Sequence, residues 1–250
     1  MKAAVFTRYG GPEVVSILEQ PKPAVGPKDV LIRTHATTVN SGDSRIRGMR
    51  VPAGFVPMVR LMFGIFGPRR SSQVLGSSLA GEIVEVGEAV SRYEVGQRVV
   101  ASMPKSTGAH AQFVSLPEDG AIAIVPDGVR MEDAASVLFG GHTAQYFLEE
   151  LGSIQSGEQV LVNGASGSVG AALVQFAVYH GATVTCVCSG KNAALVRELG
   201  AAQVIDYTEV NFLDTCAPGD YDKVVDCVGN LNWHDVRKGL SAQGMFLMVI

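Results

Sequence analysis

The run Val160-Leu-Val-Asn-Gly-Ala-Ser-Gly-Ser-Val-Gly170 constrains this chain more than any other stretch. An apolar strand passes directly into a glycine-rich turn and then into Ala171–Tyr179, which reads as a helix. Strand, glycine turn and helix start together form a phosphate cradle. Gly167 lets backbone approach a pyrophosphate, Gly170 lets the helix pack close to the strand, and free N–H groups at the helix start hold anionic oxygens. Ala165 replaces the first glycine of the G-x-G-x-x-G pattern, so the reading rests on the setting more than on the pattern. The next strand, Ala182–Cys188, follows after a helix-length crossover, as a right-handed βαβ unit requires.

The end of that second strand bears on which nicotinamide dinucleotide would fit. An NAD site places Asp or Glu there, roughly 20 residues past the turn, to bind the ribose 2′-hydroxyl. Here the place is held by Ser189, followed by Gly190 and Lys191, and no acid follows until Glu198. A hydroxyl and an ammonium suit a 2′-phosphate, which a carboxylate would repel. The expected cofactor is therefore NADPH. Taken alone, Lys191 could equally solvate the start of the next helix, and the missing acid tips the balance.

With 250 residues, 47% hydrophobic and 18% charged, the chain can build one large or two modest cores. A net charge of −4 with no dense Lys/Arg run argues against nucleic acid as the main partner. The N-terminal residues lack the apolar core of a signal peptide, and no stretch reaches the length of a membrane span, so a cytoplasmic protein is expected. The four cysteines, Cys186, Cys188, Cys216 and Cys227, include no CxxC pair and read as structural; Cys186 and Cys188 fall on one face of a strand.

Two textures divide the chain. Residues 1–130 are β-rich and punctuated by Gly and Pro, with strands expected at Lys2–Phe6, Asp29–Ala36, Ser78–Val86, Arg98–Ala101 and Ala111–Val114, which suggests a partly open barrel or sandwich. Residues 131–250 alternate strand and helix in the manner of a doubly wound parallel α/β sheet. There a helix over Val137–Leu151, interrupted at Gly140-Gly141, precedes the glycine turn. Strands at Ala201–Tyr207 and Asp222–Val228, a helix at Asn232–Leu240 and a strand at Gly244–Ile250 follow it. The apolar stretch Val51–Arg70 is open to three readings: a short helix packed on its own domain, a wall of an apolar substrate pocket, or an interfacial membrane contact, the pocket wall being the better of the last two. Met245–Ile250 reads as a strand without a following turn, so a truncated sheet is expected.

Several segments together resemble the medium-chain dehydrogenase/reductase superfamily, in its zinc-free quinone oxidoreductase branch. They are Met1–Val5 with Gly10–Val14, Val39–Gly48, Leu75–Gly87, Gly140–Ala144, the Ala165–Gly170 turn and Gly200–Tyr207. The resemblance runs essentially end to end and implies a GroES-like partly open barrel followed by a Rossmann domain. Family members commonly run some tens of residues longer, which agrees with the expected truncation. Zinc enzymes of the superfamily carry a Cys near the first position of the Val39–Gly48 segment and a Gly-His-Glu near Gly76; here those places hold Asn40 and Gly76-Ser77-Ser78, so no metal is expected.

Residue roles follow from the resemblance. It places Asn40 beside the nicotinamide and substrate as the one catalytic candidate, and Thr143 near the nicotinamide or its ribose. Ala165, Ser166, Gly167, Ser168, Val169 and Gly170 would form the pyrophosphate turn. Ser189, Lys191 and Tyr207 would surround the 2′-phosphate, and Val228 would border the cofactor. Read alone, Asn40 could simply satisfy a turn and Tyr207 could cap a strand end. The branch often has a tyrosine two residues beyond the aspartate of Asn40-x-x-Asp43, and this chain has Arg45 there. Asp43 and Arg47 are spaced for an ion pair on one helix face, while His110 and His142 are read as packed or hydrogen-bonded residues.

The activity expected is NADPH-dependent, metal-free hydride transfer to a quinone or α,β-unsaturated carbonyl compound, by a homodimer. The alternative is a nucleotide-binding protein of the same fold with little catalysis, acting as a redox sensor or structural protein.

Overall fold

The computed structural model describes residues 1–51, 53–103 and 107–249, in two compact units, Met1–Leu138 and Phe139–Ile250. In the first, β1 (Lys2–Phe6) pairs antiparallel with β2 (Val15–Glu19). β3 (Asp29–Thr37) is followed by helices α1 (Ser41–Gly48) and α2 (Val56–Phe63), then β4 (Ser78–Val86), β5 (Arg98–Ser102), β6 (Phe113–Pro117) and β7 (Ala121–Ile124). The last five strands form one antiparallel sheet in the order β6-β3-β4-β5-β7.

Two register shifts in β3, at Leu31/Ile32 and Thr34/Ala36, curl this sheet into a half-barrel. Gly81 in β4 permits the close approach there, since a Cβ on it would lie 2.3 Å from the Arg33 carbonyl oxygen. The concave core is aliphatic: Val30, Ile32, Leu79, Ile83, Val99 and Ala101 are all fully buried. The other face of the GroES-like half-barrel is partly covered too, since Ala80 and Val100 pack there with Val125, Met131, Ala134 and Ala135.

Three expectations shift in this unit. The strand expected at Ala111–Val114 lies two to three residues later, because Ala111 makes only an isolated bridge to Ala3 while Phe113–Pro117 pairs with β3. β2 and β7 were not foreseen. The apolar stretch Val51–Arg70 forms α2, which buries none of its residues. Phe55, Met58, Leu61, Met62, Ile65 and Phe66 are all exposed, while Val56, Val59 and Phe63 form a half-buried stripe, so a short helix is present but only one narrow face of it is covered; Pro52 lies outside the described residues. Hydrogen bonds from Arg69 to the Leu61 carbonyl (2.7 Å) and from the Tyr9 hydroxyl to the Gly64 carbonyl (2.7 Å) tie the segment down. No helix among the described residues is long and apolar enough to cross a membrane.

α3 (Met131–Gln145) leads into the second unit and continues as a wider helical turn over Tyr146–Leu151. Gly140 and Gly141 do not interrupt it, contrary to the sequence expectation. Then come β8 (Gln159–Asn163), α4 (Ser168–Tyr179), β9 (Thr183–Cys188), α5 (Ala193–Glu198), β10 (Gln203–Asp206), β11 (Tyr221–Asp226), α6 (Trp233–Val236) and β12 (Leu240–Met248). Every strand pair is parallel, and the order is β10-β9-β8-β11-β12. This is a Rossmann sheet whose connection reverses between β8 and β11.

Both faces of the sheet are covered, which is why consecutive apolar residues such as Val160–Val162 and Cys186–Cys188 are buried on opposite sides. Val160, Val162, Cys186 and Cys188 face α4 with Leu173, Val174 and Ala177, while Leu161 and Val187 face Phe212, Leu231 and Val236. Burial pushes the Cys186 thiol up to about 12, as expected for a packed rather than reactive cysteine. The helix expected over Asn232–Leu240 is only four residues long, because Leu240 already belongs to β12; Ile250 lies outside the described residues.

Candidate nucleotide site

At the topological switch point, the carboxyl ends of β8, β9, β10 and β11 open onto a cavity of about 1000 Å³. Ligands of open parallel sheets bind at this position. Ser166, Gly167, Ser189, Lys191, Tyr207 and Val228, all singled out from sequence, line it.

The turn after β8 is held by close packing. Gly164 has φ +79°, and a Cβ on it would meet Val228 Cγ2 at 2.7 Å. A Cβ on Gly170 would lie 2.2 Å from the Gly164 carbonyl oxygen and 2.8 Å from Ala165 Cα. Gly170 therefore lets α4 start directly against the turn, and Ala165, fully buried beneath it, tolerates the methyl that the first-glycine position usually lacks. Gly140 serves the same end from α3, where a Cβ would come within 2.5 Å of the Ser168 carbonyl oxygen.

At the start of α4, Gly167 occupies the capping position and no side chain caps the helix. The Ala171 amide bonds the Gly167 carbonyl at 2.8 Å, so the amides of Ser168, Val169 and Gly170 have no acceptor within the helix. A dinucleotide pyrophosphate fits this donor set: uncapped amides, an exposed glycine in front of them and the positive end of the helix dipole.

A second loop, Ser189–Asn192, follows β9. Lys191 is exposed, and Tyr207, also exposed, stands at the end of the neighbouring β10. Asp206 lies just before it and was not foreseen as part of this region. The Thr208 hydroxyl (2.7 Å) and amide (2.9 Å) both donate to its carboxylate, which holds its pKa below the usual range. A Cβ on Gly190 would meet the Asp206 carboxylate at 2.2 Å, so a larger residue there would displace that side chain. Glu209 is the acidic residue among those lining the cavity.

Asp226 and Asn163 also escaped sequence reasoning. Asp226 is completely buried at the end of β11, and its carboxylate accepts from the amides of Val228, Gly229 and Leu231 and from Asn163 Nδ2, at 2.9–3.1 Å. Asn163 Nδ2 also reaches Asn230 Oδ1 at 2.8 Å. This network fixes the loop bearing Val228 against the glycine turn. Thr143 is half-buried in α3, and its hydroxyl donates to the Phe139 carbonyl at 2.7 Å.

Asn40 lies in the first unit, at the N-terminus of α1. Its Oδ1 accepts from the Asp43 amide (3.1 Å), while Asp43 Oδ2 accepts from the Asn40 amide (3.0 Å), a reciprocal capping box. Asn40 Nδ2 donates to Ser77 Oγ at 3.0 Å. The two places where zinc relatives carry their Cys and His are thus adjacent here and joined by a hydrogen bond. The expected Asp43–Arg47 ion pair does not form. Asp43 turns back to cap α1 and to accept from the Gly76 amide (3.0 Å), and Arg47 Nε donates to the Gly10 carbonyl instead. His110 Nε2 bonds the Thr38 carbonyl at 2.9 Å, consistent with a packed histidine, and His142 is exposed. Among the described residues no group of three or more His, Cys, Asp or Glu side chains is arranged to hold a metal ion.

Comparison with known proteins agrees with both units. The family model described as the alcohol dehydrogenase GroES-like domain matches residues 26–127, and that described as zinc-binding dehydrogenase matches residues 168–249. A quinone oxidoreductase of Pseudomonas aeruginosa is 31% identical over 98% of this chain and 72% of its own length. An NADPH-dependent alkenal/one oxidoreductase from chloroplasts of Arabidopsis thaliana is 30% identical over 92% of this chain and 58% of its own. Among solved structures, the quinone oxidoreductase of Coxiella burnetii superposes with a TM-score of 0.87 at 29% identity, covering 100% of this chain and 75% of that one. A mycobacterial protein in complex with NADPH gives 0.78 at 29%, covering 99% and 73%. The chain belongs to the medium-chain dehydrogenase/reductase superfamily, in its quinone oxidoreductase branch. It is an oxidoreductase.

Proposed function

We propose that the chain binds NADPH in preference to NADH and reduces a quinone or an α,β-unsaturated carbonyl compound without a metal. The observation that carries this reading is the cavity over β8–β11, which has Ser166 and Gly167, at the head of the uncapped α4, on one side and Ser189, Lys191 and Tyr207 on another. Ser166, Gly167, Ser168, Val169 and Gly170 would hold the pyrophosphate. Ser189 and Lys191 would receive the 2′-phosphate with Tyr207 beside it, and Val228 would border the cofactor. The NADPH complex of one structural relative and the name of the alkenal/one relative support the same choice.

Bound NADPH would supply the hydride; the residues here do the rest. Asn40 has one amide hydrogen committed to Ser77, and its second is the donor we assign to the acceptor oxygen, where negative charge develops. Because Asn40 also caps α1, replacing it by alanine would mix a stability loss of about 1 kcal/mol with any loss of chemistry. Aspartate separates the two, since it caps a helix as well as asparagine and, ionised, has no hydrogen to donate. Asn40→Asp should lose less stability than Asn40→Ala while acceptor-dependent NADPH oxidation falls by about a hundredfold. Full turnover by this variant would remove Asn40 from the chemistry.

A second reading, nucleotide binding with little catalysis, draws on Arg45 standing exposed where the branch often has tyrosine. Anaerobic NADPH oxidation with a panel of quinones and enones separates the two: binding without acceptor-dependent turnover would favour the second.

A further inference from the structure

Asparagine at the first position of a helix ordinarily turns its side-chain oxygen onto the helix's own free amides. Asn40, Asn211 and Asn232 all do so, accepting from the amides of Asp43, Leu213 and Asp235. Asn192, at the start of α5, makes no such bond. Its Nδ2 instead lies 2.9 Å from Ser166 Oγ and 3.4 Å from Ser189 Oγ. One amide thus bridges the glycine turn after β8 and the loop after β9. All three residues line the same cavity, with Lys191 next in sequence.

The direction of these bonds matters. A serine oxygen has two lone pairs and one hydrogen, so a hydroxyl that accepts from Nδ2 keeps its hydrogen for another acceptor. Among the described residues neither hydroxyl donates to a protein group, and both face a cavity suited to phosphate oxygens. We propose that Asn192 is a positioning residue for NADPH selectivity: its amide orients the Ser166 and Ser189 hydroxyls as donors, the first toward the pyrophosphate and the second toward the 2′-phosphate. The proposal rests on the reading of this cavity as an NADPH site.

Asn192→Asp tests it. The variant is nearly isosteric, and Asn192 makes no helix-capping bond that the change would remove, so the fold is preserved. An ionised carboxylate can only accept, so it would draw both hydroxyl hydrogens inward and set a negative charge beside the phosphates. Fluorescence titrations of the wild type and variant with NADPH and NADH at fixed ionic strength should show NADPH affinity at pH 8 falling at least about tenfold further than NADH affinity. The NADPH loss should shrink as pH falls through about 6, where a phosphate monoester takes up a proton and its repulsion from the carboxylate weakens. Ser189→Ala should weaken NADPH in the wild-type background but add little on top of Asn192→Asp.

Unchanged NADPH affinity would mean that the amide is not the donor. Equal, pH-independent losses for both nucleotides would reduce Asn192 to a structural role. Either result overturns the proposal and leaves the NADPH reading intact, whereas a wild-type chain that binds neither nucleotide removes both.

Discussion

Gly170→Ala and Gly141→Ala make the same chemical change in neighbouring helices and should have opposite effects. At Gly170 the new methyl would lie 2.2 Å from the Gly164 carbonyl oxygen, 2.8 Å from Ala165 Cα and 2.9 Å from the Ala165 carbonyl carbon. Carbon atoms prefer separations of about 3.5–4 Å, so α4 must retreat by about 1 Å. It cannot do so freely, because Leu173, Val174 and Ala177 are wedged at zero exposure against β8 and β9. Such overpacking costs about 1–3 kcal/mol, against a helix-propensity gain of at most about 1 kcal/mol. Gly170→Ala should therefore lose about 1–2 kcal/mol. At Gly141 nothing lies within 4 Å of the added methyl, and only the propensity gain of about 0.4–1 kcal/mol remains. Urea unfolding followed by far-UV circular dichroism measures both shifts, and nucleotide titration adds a second readout. Moving the uncapped amides of α4 by about 1 Å should weaken NADPH about tenfold or more in Gly170→Ala and leave Gly141→Ala unaffected. If Gly170→Ala proves as stable as the wild type, the close approach of helix and turn is not what requires glycine there.

Asp226→Ala strips the acceptor from three backbone amides and from Asn163 in a fully buried site, so unfolding experiments should show a loss of about 3 kcal/mol or more. Lys223 is buried in the sheet and bonded to Glu158 at 2.5 Å, so Glu158→Gln, which strands the ammonium, should cost about 3 kcal/mol, whereas Lys223→Met should be nearly neutral by the same assay. Burial raises the Cys186 and Cys227 thiols from 9.0 to about 12. With folded pKa values above the unfolded ones, the stability linked to these thiols is fully present below pH 9 and lost as pH rises toward 12. Iodoacetamide at pH 9 should accordingly modify the fully buried Cys186 only at the rate of unfolding, and more slowly than Cys227, which borders the cavity, a result checked by mass spectrometry with and without urea.

The second unit was legible because its strands carry their own evidence. Parallel strands covered on both faces are mostly apolar, and β8 and β9 carry apolar cores at Val160–Val162 and Cys186–Cys188; the glycine turn between β8 and α4 then fixes direction and connection. β2 escaped because four of its five residues are exposed and the sequence has no alternation to read, and β7 because four residues are too few to show a period. α2 misled because apolar composition looks the same whether a helix is buried or bare. The Asp43–Arg47 error was avoidable: Asn40-x-x-Asp43 has the spacing of a capping box, and a carboxylate turned back to the helix start is unavailable to the residue four positions on. Asn192 was beyond reach, since nothing in sequence separates it from the asparagines that cap their own helices.

That contrast bears on where an anion can bind in this chain. α1 and α4 both have eight or more residues and begin beside a candidate functional position, yet their starts are finished differently. At α1, Asn40 and Asp43 cap reciprocally, and a second Asp43 oxygen takes the Gly76 amide, so a buried carboxylate neutralises the positive end of the dipole. Only the Asp43 amide of that first turn is capped, but an anion meets the Asp43 carboxylate there instead of a favourable field, whereas a neutral acceptor oxygen could still use the remaining hydrogen of Asn40 Nδ2. At α4, Gly167 brings no capping side chain and no acid lies in the first turn, so donors and dipole remain for phosphate. On the proposed function, the sorting of charged nucleotide from uncharged acceptor would follow from which helix start has already met its own electrostatic demand.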